Sequence, residues 1–389
     1  MIEVNSIPLI DNHCHPFLPE KEVEQPFPKF FTISFVPEVN AVDIENTVLY
    51  RRVIKELKRV LKAKSEKAAI ESRMKLYHSN PREYISKLFG DANIDTLILD
   101  IGFPSEEYGS YSIKKEVFEQ LMPSKIKWIY RIEPLLYRLF SQNLSFKDFL
   151  NEYIHSIENA IRNEGFCAIK TVIAYVYGLN IEEFDENKIE TIYNEIKNKK
   201  ELSIPPNKKT REMIRKEKTI REFLVFKALE LSVKLNVPMQ IHTGVGASPI
   251  IDVRDANPLN LINLITHPEL SKAKIVLVHC GYPYVEEAGY LANQYPNVFV
   301  DLSEMNPFIG SGMKNKILSV LEMAPTTKVM YGSDGFNTPE VFWIASIICR
   351  ESLGQAMEEL INRGFIDIDF ANKSIKLILR ENAKSLYKI

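Results

Sequence analysis

Eight short apolar runs, spaced along 389 residues, constrain the fold more than any other feature of this chain. They are IPLIDNH (7–13), TLILDIGF (96–103), KWIYRIEPLL (127–136), CAIKTVIAY (167–175), PMQIHTG (238–244), KIVLVHCG (274–281), NVFVDLSE (297–304) and KVMYGSDG (328–335). Each is nearly continuous in apolar residues rather than alternating, as parallel strands covered on both faces require. Stretches with helical spacing lie between them, at 146–162, 219–235, 258–265, 284–294, 314–323 and 339–354. Eight strand–helix units predict an α/β fold, a (β/α)8 TIM barrel, since doubly wound sheets usually have fewer strands.

Two insertions depart from a minimal barrel. The long one follows strand 1, covers 17–93 and opens with the aromatic and proline-rich FLPEKEVEQPFPKFF before turning helical. The smaller one follows strand 4, covers about 181–218 and contains Ile204-Pro-Pro-Asn. Both leave from the C-terminal end of a strand, where barrel active sites are built. They can act as caps that select substrate, or as helical additions that only stabilise the barrel. The aromatic stretch can equally cover a second copy, so a homodimer is a possible assembly.

A net charge of −2 and a pI near 6.4 give no basic footprint for nucleic acid. No run of about 18 apolar residues is present, so no membrane span is expected. The N-terminus lacks a basic region followed by an apolar core, and the four cysteines form no CxxC pair. A reduced, cytoplasmic chain acting on a small molecule is the expectation.

Polar residues collect at the C-terminal ends of the expected strands. Strand 1 ends in His13 and His15, strand 4 carries Lys170, strand 5 ends in His242, strand 6 in His279, and strand 8 in Asp334. Four of the seven histidines therefore fall at strand ends. Side chains alternate along a strand, so His13 and His15 share a face, roughly 6–7 Å apart, and Cys14 points away. With His242 and Asp334 they can converge on one divalent ion, and three imidazoles with one carboxylate suit Zn²⁺, or Mn²⁺ or Fe²⁺. Arg131 and Glu133 close strand 3, Arg254 follows strand 5, and Glu304 closes strand 7. These four are candidate substrate contacts, with ion pairs between loops as the alternative for the arginines and Glu133.

In these residues the chain resembles the amidohydrolase superfamily. The HxH of His13 and His15, Lys170, His242, His279 and Asp334 follow that family's order, and ILRENAKSLY (378–387) is similar to its closing helix. More narrowly it resembles the amidohydrolase-2 branch, and within it the FluG/nodulin-type domain, through TLILDIGFP (96–104), YRIEPL (130–135), VRDANPLNL (253–261) and the VHCGYPYVEEAGY stretch from 278. Such relatives tend to carry Arg after IAY, where this chain has Val176-Tyr177.

The resemblance implies a single catalytic barrel over 1–389 that is a metal-dependent amidohydrolase. Asp334 would be both ligand and general base and acid, and His279 a second-metal ligand or a stabiliser of substrate charge. Lys170 decides between one metal and two, since a carboxylated lysine bridges a binuclear centre. The first expectation is hydrolysis of a C–N bond, amide or cyclic amide, in a small acidic substrate. A decarboxylase or isomerase on the same scaffold is the alternative, and a non-catalytic regulatory domain a third.

Overall fold

The computed structural model describes residues 3–19, 25–106, 111–181, 185–198, 210–248 and 250–389. Ile204-Pro-Pro-Asn and residues 20–24 of the aromatic stretch lie outside the described residues. Eight parallel strands form one sheet in sequence order: β1 (Leu9–Cys14), β2 (Ile94–Asp100), β3 (Lys125–Arg131), β4 (Phe166–Thr171), β5 (Met239–His242), β6 (Ile275–Val278), β7 (Val298–Asp301) and β8 (Val329–Met330). Backbone bonds from Asn12 N to Tyr331 O (3.0 Å), Asp334 N to His13 O (2.8 Å) and His15 N to Gly335 O (2.7 Å) join β1 to the segment after β8 and close the barrel.

Strand interiors are buried on both faces, and two apolar layers result. Ile10, Ile98, Ile129, Ala168, Val276 and Met330 fill the barrel interior, which Leu386 and Tyr387 of the closing helix plug from below. A larger layer, including Cys14, Leu97, Leu99 and Leu277, packs between strands and helices. Polar side chains lie above the inner apolar layer, so the barrel is a packed core with a polar mouth.

Two expected strand ends are corrected. β3 stops at Arg131 and the chain turns directly into a helix, Ile132–Ser141, because IEPLLYRLF carries a helical stripe, Leu135, Leu136 and Leu139, that an apolar run conceals. β8 has two residues, since Tyr331 N turns away to bond Ile378 O.

β1 also contains an extra residue. Asp11 pairs with Leu97 but Cys14 with Leu99, so three steps on β1 face two on β2. Such a bulge re-aims side chains beside a functional site. Here it lets Asn12 reach Asp301 inside the barrel while His13, the next residue, reaches Asp334.

The described part of the long insertion contains a 3-10 turn at Phe27–Phe31, a short helix at Ala41–Glu45 and three longer helices, α1 (Val48–Val60), α2 (Glu66–Ser79) and α3 (Pro81–Ala92). Thr47, Ser65 and Asn80 cap them by accepting main-chain N–H groups, and Pro81 opens α3 where its missing N–H costs nothing. Their apolar faces, Tyr50, Val53 and Leu57 on α1 and Ile85, Leu88 and Phe89 on α3, are buried. In the smaller insertion the described residues form a helix at Glu186–Asn198. No helix among the described residues is long and apolar enough to cross a membrane.

Candidate metal centre

The structure brings the strand-end residues together at the barrel mouth. His13 Nε2 lies 3.2 Å and His15 Nε2 3.3 Å from Asp334 Oδ1. Across the mouth, His279 Nε2 is 3.0 Å from His242 Nδ1, and the His13 and His279 rings are 5.5 Å apart. Donor atoms of His13, His279 and Asp334 all lie within 4.8 Å of one another, and so do those of His242, His279 and Glu304. His279 is thus common to both groups, and His242 faces it rather than Asp334.

Backbone geometry supplies the juxtaposition. Gly244, with φ +71°, lies where the loops after β5 and β6 cross; a Cβ there would sit 2.3 Å from Gly281 C and from Tyr282 O. Gly244→Ala is therefore expected to lower stability by at least about 2 kcal/mol, through overpacking and an unfavourable φ together. Chemical denaturation measures this, and a loss under 0.5 kcal/mol would show that the crossing has slack. His279, Glu304 and Asp334 also have positive φ, at 67°, 59° and 53°. Non-glycine residues hold such conformations when surrounding structure over-determines them, commonly at functional sites.

The second contacts of two imidazoles decide which nitrogen faces inward. His15 Nδ1 lies 3.2 Å from Asp100 O, and His242 Nε2 lies 2.9 Å from Val245 O. A carbonyl only accepts, so each of these nitrogens carries the proton. The lone pairs on His15 Nε2 and His242 Nδ1 then point into the mouth, the arrangement of metal-ligating histidines. Burial, with the nearby Lys170 ammonium, pushes His13 down to about 3. Burial also holds His242 and His279 well below the usual imidazole value, aided by His279 for the first and by Lys170 for the second. Burial by itself would raise Asp334, but His279 charge and contacts from His13 and His15 hold it well below the usual carboxylate range.

The His13 and His15 nitrogens therefore meet the Asp334 carboxylate at one point. Asp334 Oδ1 and His13 Nδ1 are buried with no hydrogen-bond partner among the described residues. A lone pair against a carboxylate oxygen at 3.3 Å is repulsive unless a cation lies between, so the donor set fits a divalent ion.

The remaining expected residues are placed as follows. Lys170 is fully buried, with Nζ unpartnered among the described residues, and burial brings it down to about 8. Glu304 is buried with Oε2 3.6 Å from His279 Nδ1, and burial, then the Asp334 charge, raises it well above the usual carboxylate value. Arg131 pairs with Asp100: its Nε and Nη2 donate to Asp100 Oδ2 at 2.8 and 2.5 Å. Glu133 sits in the first helical turn after β3 and accepts from Thr171 Oγ1 (2.6 Å) and Val172 N (2.9 Å), so it orders the loop after β4. Arg254 is at the surface, 85% exposed, paired with its neighbour Asp252. The Arg254 partner is two residues away and within sequence reach, whereas the Arg131 partner, Asp100, lies 31 residues earlier.

Sequence reasoning missed the buried supports. Asp301 accepts from Asn12 Nδ2 (2.6 Å), His279 N (2.8 Å) and Ser303 N (3.1 Å), tying β1, β6 and β7 together. Gln240 donates to Asn12 O and to Tyr387 OH. A polar residue inside an apolar strand, as in VFVDLSE and PMQIHTG, is the signal that marks both. Beside Arg131 a cavity of about 280 Å³ opens between Ile101, Ile113, Tyr130 and Leu135.

A barrel with this mouth offers a donor set for a metal ion, and comparison with known proteins shows what the chain is similar to. The amidohydrolase family model, of the amidohydrolase-2 type, matches residues 212–389. Protein fluG of Emericella nidulans is 27% identical over 422 residues, which cover 99% of this chain and 46% of that protein. The chain thus spans about half the length of this curated relative. Among solved structures, a provisionally named metal-dependent hydrolase of Lactobacillus casei superposes with a TM-score of 0.83 at 23% identity, covering 99% of this chain and 96% of that one. Uronate isomerase of Thermotoga maritima superposes with a TM-score of 0.65 at 16% identity, covering 99% and 95%. The C-terminal part of the chain is thus similar to the amidohydrolase family, and nearly its whole length is similar to part of Protein fluG.

Proposed function

We propose that this chain hydrolyses a C–N bond, an amide or cyclic amide, in a small carboxylate-bearing substrate, with one divalent ion held by His13, His15, His242 and Asp334. The observation that carries this is the convergence of His13 and His15 nitrogens on Asp334 Oδ1 with the outer nitrogen of His15 donating to Asp100 O. Zinc is the first choice for such a donor set, with manganese or iron as alternatives. When bound, the ion supplies a Lewis acid that acidifies water and polarises a carbonyl oxygen.

The chain's own residues do the rest. Asp334, ionised beside the imidazoles, accepts the proton of the attacking water and returns it to the leaving nitrogen. His279 orients the substrate oxygen and donates to it as negative charge builds. Among the described residues the buried Lys170 Nζ and Glu304 Oε2 have no hydrogen-bond partner, so polar groups of a substrate acid would complete them.

Metal analysis of the purified chain is expected to give about one equivalent of a transition metal, and His13→Ala/His15→Ala none. Two equivalents would bring in a carboxylated Lys170; full occupancy in the double variant would overturn the ligand assignment. The reaction is tested by screening N-acyl amino acids, cyclic amides, aromatic acids and sugar acids with metal-loaded protein, using Asp334→Asn as the blank. Release of ammonia, amine or acid above the blank supports hydrolysis. Release of CO₂ or isomerisation of a sugar acid instead would replace it.

A further inference from the structure

The insertion reaches the metal loop through a buried ion pair. The helix following β8, α4 (Pro339–Asn362), begins five residues after Asp334, and Glu340 is in its first turn. Arg73 of α2 donates from Nε to Glu340 Oε1 at 2.7 Å and from Nη2 to Glu340 Oε2 at 3.3 Å and Thr338 Oγ1 at 3.0 Å. Tyr84 of α3 donates to Glu340 Oε1 at 2.6 Å, and Thr338 Oγ1 donates to Glu340 Oε2. Arg73, Tyr84, Thr338 and Glu340 are all buried, and the Arg73 guanidinium lies over the Phe27 and Tyr77 rings.

The loop between Asp334 and Thr338 is consequently held at both ends. At one end Asp334 N and Gly335 O bond to β1 beside the two histidines. At the other, Thr338 and Glu340 are fixed by a side chain from the insertion. Between them Gly335 lies against Phe342, whose ring a Cβ would meet at 2.4 Å, and Asn337 has φ +62°. A short loop with left-handed residues and no slack at either end transmits a displacement at Thr338 to Asp334.

We propose that Arg73 is a positioning residue for Asp334, and that the 17–93 insertion is a working part of the metal centre through the Arg73–Glu340–Thr338 clamp. It touches neither metal ligand nor reacting atoms; it sets where the Asp334 carboxylate stands. If the insertion only stabilised the barrel, the Arg73 variants would melt lower without loosening this loop. The metal readout below rests on the ligand role proposed for Asp334; the exchange readout does not.

The test compares Arg73→Met, Arg73→Met/Glu340→Gln and Arg52→Met in the full chain. The double variant leaves no uncompensated buried charge and keeps the test open if Arg73→Met fails to fold. Arg52→Met breaks a different contact between the insertion and α4, that of Arg52 with Glu351, away from the loop. Amide hydrogen exchange at residues 333–338 in metal-free protein is expected to speed up at least tenfold in the Arg73 variants, and not in Arg52→Met. Zn²⁺ affinity, by competition with a chelator, is expected to fall about 10–100-fold in the same variants. Arg73→Lys is expected to recover part of both. Wild-type exchange at 333–338 in the folded double variant would overturn the proposal, as would an equal effect of Arg52→Met. Failure of the wild-type chain to bind Zn²⁺ would sink the metal assignment while exchange still decides the clamp.

Discussion

Asp334→Asn is expected to lower kcat by about 10³-fold, within the range general acid–base groups contribute, and to weaken metal binding at the same time. The carboxylate is where His13 and His15 nitrogens converge, at 3.2 and 3.3 Å. Asparagine keeps the shape but removes the charge and the base. Its amide NH₂ can also turn toward the inward imidazole lone pairs and satisfy them without a cation. The metal-free variant is therefore expected to melt no lower than the metal-free wild type, while added Zn²⁺ stabilises the wild type alone. Binding stabilises a native state by RT ln(1 + [L]/Kd), about 2.7 kcal/mol at one hundred times Kd, so the contrast is large. A variant that keeps a tenth of the wild-type rate, or that gains the same stability from Zn²⁺, would take Asp334 out of the site.

Asp100→Asn is expected to cost about 3–5 kcal/mol of stability in the metal-free protein, because it leaves the Arg131 guanidinium buried without its counter-charge. The Arg131 side chain is committed by shape as well: a Cβ on Gly102 would meet its stem at 2.4 Å, so it lies flat on the β2 loop. Asp100→Asn/Arg131→Met removes both charges and is expected to recover most of the loss. Burial by itself would raise the Asp100 carboxyl, but the Arg131 charge, then His15, holds it down to about 2, below its ordinary 3.8. A depressed folded value means that the pair's contribution is fully present above about pH 4 and is lost as pH falls through 2. Urea titrations of wild type and variant between pH 2 and 6 should therefore converge at the acid end. A constant difference across that range would assign the stability loss to packing rather than to the charge pair.

These two positions show different degrees of legibility. Asp334 could be placed in advance because an apolar run marks where a strand ends and the mouth of the barrel begins, although β8 itself stops at Met330. The eight strands lie where continuous apolar runs predict them, and His13, His15, Lys170, His242, His279 and Asp334 all lie at the barrel mouth. Arg131 could be placed at the same mouth, but its partner could not. A guanidinium that pairs with Asp100, 31 residues earlier, looks in the sequence like one waiting for a substrate acid. Where two local patterns coexist, as in KWIYRIEPLL, the apolar run hides the switch from strand to helix at Ile132, and Glu133 lies in the first helical turn, where it accepts from Thr171.

The sequence by itself determined the barrel, the order of its strands and the types of donor at its mouth, because burial on both faces and side-chain alternation are local properties of a few consecutive residues. Only the tertiary structure decided which atoms face which. The extra residue in β1, the carbonyls that set the His15 and His242 protons, the crossing at Gly244 and the Arg73–Glu340 pair, 267 residues apart, each depend on where distant backbone comes to rest. Hydrogen-bond and ion-pair partners are chosen by proximity in space within a desolvated interior, and proximity in space is what a linear pattern does not carry.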